Sequence, residues 1–294
     1  MASTTATLDA RGVRRRGQTY VALAALAWST AGVLQRELTV STATQVAGRA
    51  LVAAVTLLVF VVLTQHSVVR PFRTMGLAEL VVALCTAVAS STFIIALNHT
   101  TVANVLFMQA LAPIAAALIA WLALHESVSR RTVVAMVVAL AGVAIMVGGP
   151  GGAHGLGLAL SVVMTLAFAL AVVVTRHRRD ISMGPAICLS QVIVFVVVGP
   201  FAAWGSADLR NVFLIVVLGV GQMGLGLAFL TVGARLISAA EVALITLLEV
   251  VLGPLWVWIA DSERPSTATL LGGAVVVAAV ALQAGEEPEP RTDA

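Results

Sequence analysis

Charged residues are scarce in this sequence. Its 17 basic and 14 acidic residues make up only 11% of the 294, against about 25% in an ordinary globular protein, whereas 60% of the residues are hydrophobic. A soluble domain of this length could not cover its surface with so few charges. The composition therefore excludes a soluble enzyme, a disordered chain and a fibrous protein, and it leaves an integral membrane protein.

The chain also contains no lysine and only two cysteines. All 17 basic residues are arginines that lie mostly at the ends of apolar runs, so the basic pI of about 9.6 does not indicate a nucleic-acid partner. Cys85 and Cys188 fall inside apolar runs, which favours buried thiols over a disulfide. Metal-ligand spacings, phosphate-binding glycine loops and nucleophile elbows are missing, so we expect no cofactor, no metal and no catalytic residue.

Ten apolar runs predict an all-α polytopic membrane protein with ten transmembrane helices, because about 20 apolar residues span a bilayer. The runs are 20–37, 43–63, 77–97, 101–124, 132–149, 154–175, 184–203, 211–234, 238–260 and 267–284. Residues 1–19 form a basic N-terminal segment, and the first run reads as an uncleaved helix rather than a signal peptide. The acidic, proline-containing residues 285–294 predict a disordered tail.

The positions of the arginines predict the orientation. In the ten-helix arrangement three arginines lie on one side, Arg36, Arg210 and Arg264, and Arg49 lies within a helix. The other side carries thirteen: Arg11, Arg14, Arg15, Arg16, Arg70, Arg73, Arg130, Arg131, Arg176, Arg178, Arg179, Arg235 and Arg291. Positive charge accumulates in cytoplasmic loops. We therefore expect a multi-pass protein of the inner or plasma membrane with both termini in the cytoplasm.

An internal repeat divides the chain into two halves, 20–149 and 154–284. A shift of 137 residues aligns Trp121 with Trp258, and the aligned Trp-x4-Glu-x2-Ser-x2-Thr pattern continues to Thr132 and Thr269. Each half holds five predicted helices, and an odd number makes the second half enter the membrane from the opposite side. Inverted repeats of this kind are the usual basis of alternating access around a site near the midplane.

Both copies of the repeat resemble a known family. The segment 101–113, running through Trp121 to Ser129, resembles the fourth helix of EamA-type transporters of the drug/metabolite transporter superfamily. The segment 238–249, continuing to Ser266, resembles their ninth helix. Ala27-Trp28-Ser29 and Gly48-Arg49 fit the first and second helices, so the resemblance covers nearly the whole chain.

The resemblance implies export or exchange of a small polar or amphipathic metabolite, such as an amino acid, a nucleobase or a drug, often coupled to protons. It places the substrate cavity among helices one to four and six to nine. Family members often carry adjacent Glu and Pro residues in helices four and nine, whereas this chain has Ala112-Pro113 and Glu249-Val250. Since Pro254 comes four residues later than the family pattern places a proline, we expect the kink in helix nine to move.

Two charged residues are predicted deep in the membrane. Glu249 lies midway along helix nine, where a carboxylate costs at least about 2.5 kcal/mol on insertion scales and must find a partner or a proton. It is the leading candidate for proton coupling or substrate binding, with a structural carboxylate as the alternative. Arg49 in helix two could bind a substrate anion, snorkel to the interface or pair with an acidic side chain.

Other acidic residues favour structural roles. Glu241, one turn into helix nine, is a second proton-coupling candidate, although stabilising the helix N-terminus is the favoured interpretation. Glu126 and Glu263 end matching helices, and Ser129 and Ser266 are expected to cap the helices that follow.

The predicted substrate-binding set combines these charges with polar and aromatic residues of the helices. Amides within a membrane also join helices to one another, so that role competes with substrate contact. The set comprises Trp28, Ser29, Arg49, Asn104, Met108, Gln109, Gln191, Gln222 and Glu249. The expected partners are a small-molecule substrate, the lipid bilayer and coupling protons. A passive channel and, less readily, an intramembrane enzyme stay open as alternatives, and the oligomeric state is undetermined.

Overall fold

The computed structural model describes residues 2–100, 102–125, 128–147, 155–261 and 266–284, and within these ranges the chain is helical without a strand. The first half contains α1 (Ala2–Ser29), α2 (Ala31–Arg36), α3 (Thr42–Gln65), α4 (Val69–Arg73), α5 (Leu77–His99), α6 (Val102–Gln109), α7 (Ala112–Leu124) and α8 (Arg130–Val147). The second half contains α9 (Gly155–His177), α10 (Gly184–Val198), α11 (Leu209–Val217), α12 (Gly226–Gly233), α13 (Ala239–Thr246), α14 (Leu248–Asp261) and α15 (Thr267–Ala284). Residues Leu218–Leu225 join α11 to α12 as π-helical turns.

Each predicted apolar run is mostly helical where the structure describes it. Seven helical stretches of the described residues are long and apolar enough to cross a membrane: Thr42–Gln65, Leu77–Ala96, Phe107–Leu124, Gly155–His177, Gly184–Phe201, Leu209–Gly233 and Ala239–Trp256. The predicted tail at 285–294 lies outside the described residues, as do Glu126 and Glu263.

Alanine is frequent in the interior, and many large apolar side chains face outward. Leu77 and Ile259 are 78% and 71% exposed, as suits a surface that contacts lipid. The largest buried cluster draws on α1, α7, α8, α9, α13 and α15 and contains many alanines. Small residues let helix backbones approach closely in membranes. At the crossing of α8 and α15, a methyl group added to Gly142 would lie 2.8 Å from the Gly272 carbonyl oxygen.

The packing of the helices follows the sequence repeat. The second helix of each half packs against its equivalent, α3 on α10, and the fifth helices do the same, α8 on α15. The third helix of the first half, α5, packs on α9, and the corresponding α12 packs on α1. The caps also match: the Ser129 Oγ accepts a bond from the Thr132 N–H at 3.1 Å, and Ser266 and Thr269 repeat that distance. The prediction of these two serine caps is confirmed.

Two long helices are broken at equivalent positions of the repeat. The first break, between α6 and α7, follows Gln109, whose carbonyl cannot receive a helical bond from Pro113. The second lies at Leu247, between α13 and α14, where the Thr246 hydroxyl donates to the Ala243 carbonyl at 2.7 Å. A hydroxyl bond of this kind bends helices. The late position of Pro254 led us to expect that the kink in helix nine would move. This expectation is wrong, because the break at Leu247 lies 137 residues after Ala110 in the first break, which is the shift of the sequence repeat.

Candidate functional site

A cavity lies between the two halves of the bundle. Its walls come from the first four and the sixth to ninth predicted helices. The lining residues are Trp28, Arg49, Val82, Thr86, Ala89, Ser90, Phe93, Gln109, Ala112, Met164, Thr165, Phe168, Ala171, Val172, Thr175, Ile187, Gln222, Met223, Leu227, Leu230, Thr231, Ala234 and Glu249.

Arg49 reaches the cavity from the first part of α3. The residue is only 5% exposed, and its Nη1 donates to the Gln222 Oε1 at 3.0 Å. Gln222 lies in the π-helical turns Leu218–Leu225, and π-helical turns are frequent at functional sites because they re-aim a side chain. The guanidinium is thus positioned by a neutral amide, which leaves its charge uncompensated.

Glu249 meets Gln109 where the two broken helices approach each other. Gln109 is the last residue of α6 and Glu249 the second residue of α14, and the Gln109 Nε2 donates to the Glu249 Oε2 at 3.1 Å. The carboxylate lies in the first turn of α14, and an N-terminal helix turn stabilises negative charge. The breaks therefore bring together one amide and one carboxylate from different halves.

Arg49 and Glu249 do not neutralise each other. Both line the same cavity, yet no ion pair within 4.0 Å joins them. Two further polar atoms of the lining residues, the Trp28 Nε1 and the Gln109 Oε1, are buried without a hydrogen-bond partner. The Trp28 Nε1 packs against Gly226 of α12. Buried polar atoms ordinarily find a partner, so the Gln109 Oε1 is a candidate for binding a ligand.

Trp28 and its neighbours give the cavity an apolar wall. The indole meets the Phe168 ring edge to face at a centroid distance of 6.0 Å. It also lies against the backbone of α12, since a methyl group added to Gly226 would lie 2.7 Å from the Trp28 Cδ1. Phe93, Met164 and Met223 complete this wall. Aromatic and methionine side chains suit an apolar or aromatic ligand body.

Arginines link the end of α9 to the end of α12 next to the cavity. The Arg176 Nη1 donates to the Arg235 carbonyl at 3.1 Å, and the Arg235 Nε donates to the Arg179 carbonyl at 2.8 Å. Thr175 and Ala234, which precede Arg176 and Arg235, line the cavity. We call these two bonds the arginine latch. Nearby, a hydrogen bond from Arg178 holds the pKa of the exposed Asp180 below its usual value.

Five predicted site residues do not line the cavity. The Ser29 Oγ accepts from the Trp256 Nε1 at 2.8 Å, and the Asn104 Nδ2 donates to the Thr100 Oγ1 at 2.8 Å. The Gln191 Nε2 donates to the Ser190 Oγ at 3.1 Å, and the residue is 1% exposed. These three polar side chains join or stabilise helices.

Met108 and Glu241 are the other two. The Met108 carbonyl accepts a bond from the Thr165 hydroxyl at 3.0 Å. Glu241 forms an ion pair with Arg14 at 3.0 Å and accepts a bond from the Gln18 Nε2 at 2.7 Å, away from the cavity lining. Trp28, Arg49, Gln109, Gln222 and Glu249 are the predicted residues that the structure brings together.

Sequence reasoning missed the hydroxyl groups of the wall. Thr86 and Ser90 share one face of α5 with Phe93, and Thr165, Phe168 and Thr175 form a comparable stripe on α9. The spacing of three, four and seven residues was the available signal. Within the described residues, no group of three His, Cys, Asp or Glu side chains could hold a metal ion.

The family model for the EamA-like transporter family matches this chain twice, over residues 15–148 and 155–284. The chain belongs to that family. Members of the EamA-like transporter family are membrane transporters of small molecules, and the apolar helices agree with a multi-pass membrane protein.

A solved structure shares the fold. It is titled only "Crystal structure of protein", and it superposes with a TM-score of 0.79 at 17% sequence identity. The match covers 91% of this chain and 96% of the other. No curated protein sequence matches the chain significantly.

Proposed function

We propose that this EamA-like protein is a secondary transporter that exports or exchanges a small polar or amphipathic metabolite by alternating access. The observation that carries the proposal is the contact between Gln109 and Glu249 inside the cavity. Broken helices that meet at the interface of two repeats are typical of secondary transporters, because the freed backbone and the polar side chains bind substrate and coupling ion there.

The proposed topology has ten membrane-spanning helices in two inverted repeats. Seven described stretches already have the length and hydropathy of spans, and α8, α15 and the apolar part of α1 would supply the other three. The thirteen arginines of one side support cytoplasmic termini in the inner or plasma membrane.

Glu249 is the proposed proton-coupling residue. It is the one carboxylate among the cavity-lining residues, and its hydrogen-bond partner is the neutral Gln109 rather than a cation. Arg49 is the one other ionisable side chain of the lining. A carboxylate without a cationic partner can gain and release a proton during the cycle at a lower cost than one held in an ion pair.

Counterflow in proteoliposomes tests the proposal. A carrier whose site alternates takes up labelled substrate faster when unlabelled substrate is present on the opposite side, whereas a passive channel does not. We expect trans-stimulation in the parent protein and transport that changes with pH. Absence of trans-stimulation for every transported compound would favour the channel.

The coupling role is tested by Glu249→Gln, which keeps the size and hydrogen bonding of the side chain. We expect the variant to retain counterflow at saturating substrate concentration but to lose the dependence of net transport on pH. Glu79→Gln is the matched control, because Glu79 accepts a bond from the Gly76 N–H at the start of α5, away from the cavity lining. A Glu249→Gln variant with the parental pH profile would exclude the coupling role.

A further inference from the structure

We infer that the substrate is a zwitterion with an apolar body, whose anionic group binds Arg49 and whose cationic group binds Glu249. This inference rests on the proposed transport function and deepens it, because it names the charge pattern of the cargo. It is carried by the arrangement of charge, unused hydrogen-bonding groups and apolar surface around one cavity.

The cavity wall carries two charged side chains. Among the lining residues Arg49 is the single base and Glu249 the single acid, so the wall carries one charge of each sign. The two groups lie too far apart to pair, with no N···O distance within 4.0 Å. While Glu249 is ionised, a monoanion would leave the charge of Glu249 uncompensated, and a monocation would leave that of Arg49 uncompensated. A zwitterion compensates both, which matters because isolated charges are costly away from water.

The hydrogen-bonding capacity of the two sites agrees with this assignment. A guanidinium has five N–H donors, and Arg49 uses one atom, Nη1, on Gln222. The remaining N–H groups of the guanidinium suit a carboxylate or a phosphate, which can accept two parallel hydrogen bonds. Around Glu249, the Oε1 carries no bond and the neighbouring Gln109 Oε1 is a buried acceptor without a donor. An ammonium group brings three donors and no acceptor, so it suits this pair of oxygens.

The remainder of the wall predicts the body of the molecule. Trp28, Phe93, Phe168, Met164 and Met223 offer aromatic and thioether surface, while Thr86, Ser90 and Thr231 add a few hydroxyls. Such a wall favours an apolar or aromatic side chain over a sugar or a polyphosphate. The predicted class is therefore an amphipathic zwitterion, such as a large amino acid or a small betaine.

A matched compound panel tests the inference on the purified full-length protein. Phenylalanine, phenylpropanoate and phenylethylamine share one ring and differ only in charge, and leucine, isocaproate and isopentylamine form an aliphatic set. Glycine betaine, carnitine, uracil and adenine complete the panel. Thermal stabilisation and counterflow are measured for each compound. We expect at least one zwitterion to bind and to show counterflow, with affinity about tenfold or more above its anionic and cationic counterparts.

Two charge-removing variants assign the ends of the molecule. Arg49→Gln is expected to lower the affinity for the zwitterion about tenfold or more while leaving the affinity for the monocation within about twofold. Glu249→Gln is also expected to lower the affinity for the zwitterion, but here the affinity for the monoanion should be retained. Arg49→Lys keeps the charge and should recover part of the affinity, which separates a binding defect from misfolding. Arg210→Gln, at an exposed arginine paired with Glu37, is the control and should match the parent.

The possible failures are distinguishable. If a neutral or singly charged compound shows counterflow at least as well as every zwitterion, the zwitterion inference is overturned and the proposed transport function stands. If no compound of the panel binds or shows counterflow, both are rejected. If zwitterions bind but each variant lowers the affinity for zwitterion, monoanion and monocation equally, the assignment of Arg49 and Glu249 to opposite ends of the substrate is overturned.

Discussion

At the scale of single residues, the two carboxylates of helix nine have opposite environments. Glu249 lines the cavity and is held by an amide, whereas Glu241, one of two residues proposed for proton coupling, lies against Arg14 and Gln18. The Glu241 side chain is 5% exposed and that of Arg14 is 16% exposed. An ion pair that joins the middle of α1 to the start of α13 stabilises the packing of two helices, and we propose that structural role for Glu241.

We therefore predict that Glu241→Gln lowers stability and leaves coupling intact. The substitution removes the ion pair with the largely buried Arg14, and we expect a loss of about 2 kcal/mol in the free energy of unfolding, toward the low end for buried pairs because Arg14 is partly exposed. Thermal denaturation in detergent measures the loss, and proteoliposome transport at several pH values measures coupling. A flattened pH profile at unchanged stability would transfer the coupling role to Glu241.

At the scale of helices, the paired breaks position the site. Helix four is interrupted because Pro113 has no N–H for the Gln109 carbonyl, and helix nine is interrupted at the equivalent position without a proline at 250. Without the breaks, Gln109 and Glu249 would lie inside uninterrupted helices rather than at helix ends. The hydrogen bond between them thus depends on backbone geometry that each half of the chain produces by a different local device.

Pro113→Ala tests that dependence. Restoring the N–H lets the bond to the Gln109 carbonyl form, so the end of α6 should straighten and draw Gln109 away from Glu249. We expect the counterflow rate to fall about tenfold or more, because misplacement by about 1 Å is costly at a binding site. Pro185→Ala is the matched control, since Pro185 lies in the first turn of α10, where its N–H would have no helical partner. Parental counterflow in Pro113→Ala would show that the break does not position the site.

At the scale of the whole molecule, the arginine latch connects the end of α9 to the end of α12 beside the cavity. Arg176 follows Thr175 in α9, and Arg235 follows Ala234 just beyond α12, so both arginines lie one residue from the cavity lining. In the proposed alternating cycle such a rim opens and closes. We predict that the latch closes the cavity at the end of the bundle that also carries the ion pair of Arg14 with Glu241.

The latch makes a prediction about access. In a background where Cys85 and Cys188 are replaced by serine, Thr175→Cys places a reactive thiol in the cavity wall beside the latch, and Thr175 is only 5% exposed. Adding Arg235→Gln removes the bond to the Arg179 carbonyl and leaves the bond from Arg176 to the Arg235 backbone in place. It should raise the rate of maleimide labelling of the purified protein about fivefold or more, because a free-energy change near 1 kcal/mol shifts a population by that factor. Arg210→Gln should leave the rate unchanged, and equal rates in all three proteins would rule out closure by the bond from Arg235 to Arg179.

Much of the fold follows from local sequence signals. Apolar runs near the length of a bilayer predict the helices, and the serines at positions 129 and 266 predict two caps, because each signal acts within a few residues. The few polar residues of apolar helices also indicate the centre of the site, and Arg49, Gln109, Gln222 and Glu249 do line one cavity. A charge that is costly in lipid must turn toward the interior.

The remaining site residues could not be chosen from the sequence. Ser29, Asn104 and Gln191 look as suitable for a substrate as Gln109 does, yet they hydrogen-bond to neighbouring residues, whereas the unremarked Thr86, Ser90 and Thr175 face the cavity. A Ser or Thr in a membrane helix gives the same sequence signal whether it faces a neighbouring helix or a cavity, because its hydroxyl can donate to a carbonyl of the preceding turn in either case.

The sequence by itself determined the membrane class, the helices, the repeat and the family, since length, hydropathy and motif spacing are properties of short segments or of direct comparison between them. Only the tertiary structure decided that Glu249 meets Gln109 while Glu241 meets Arg14, and that Arg49 meets Gln222 rather than a carboxylate. These partners lie more than 130 residues apart in the chain, and packing between the two halves selects them.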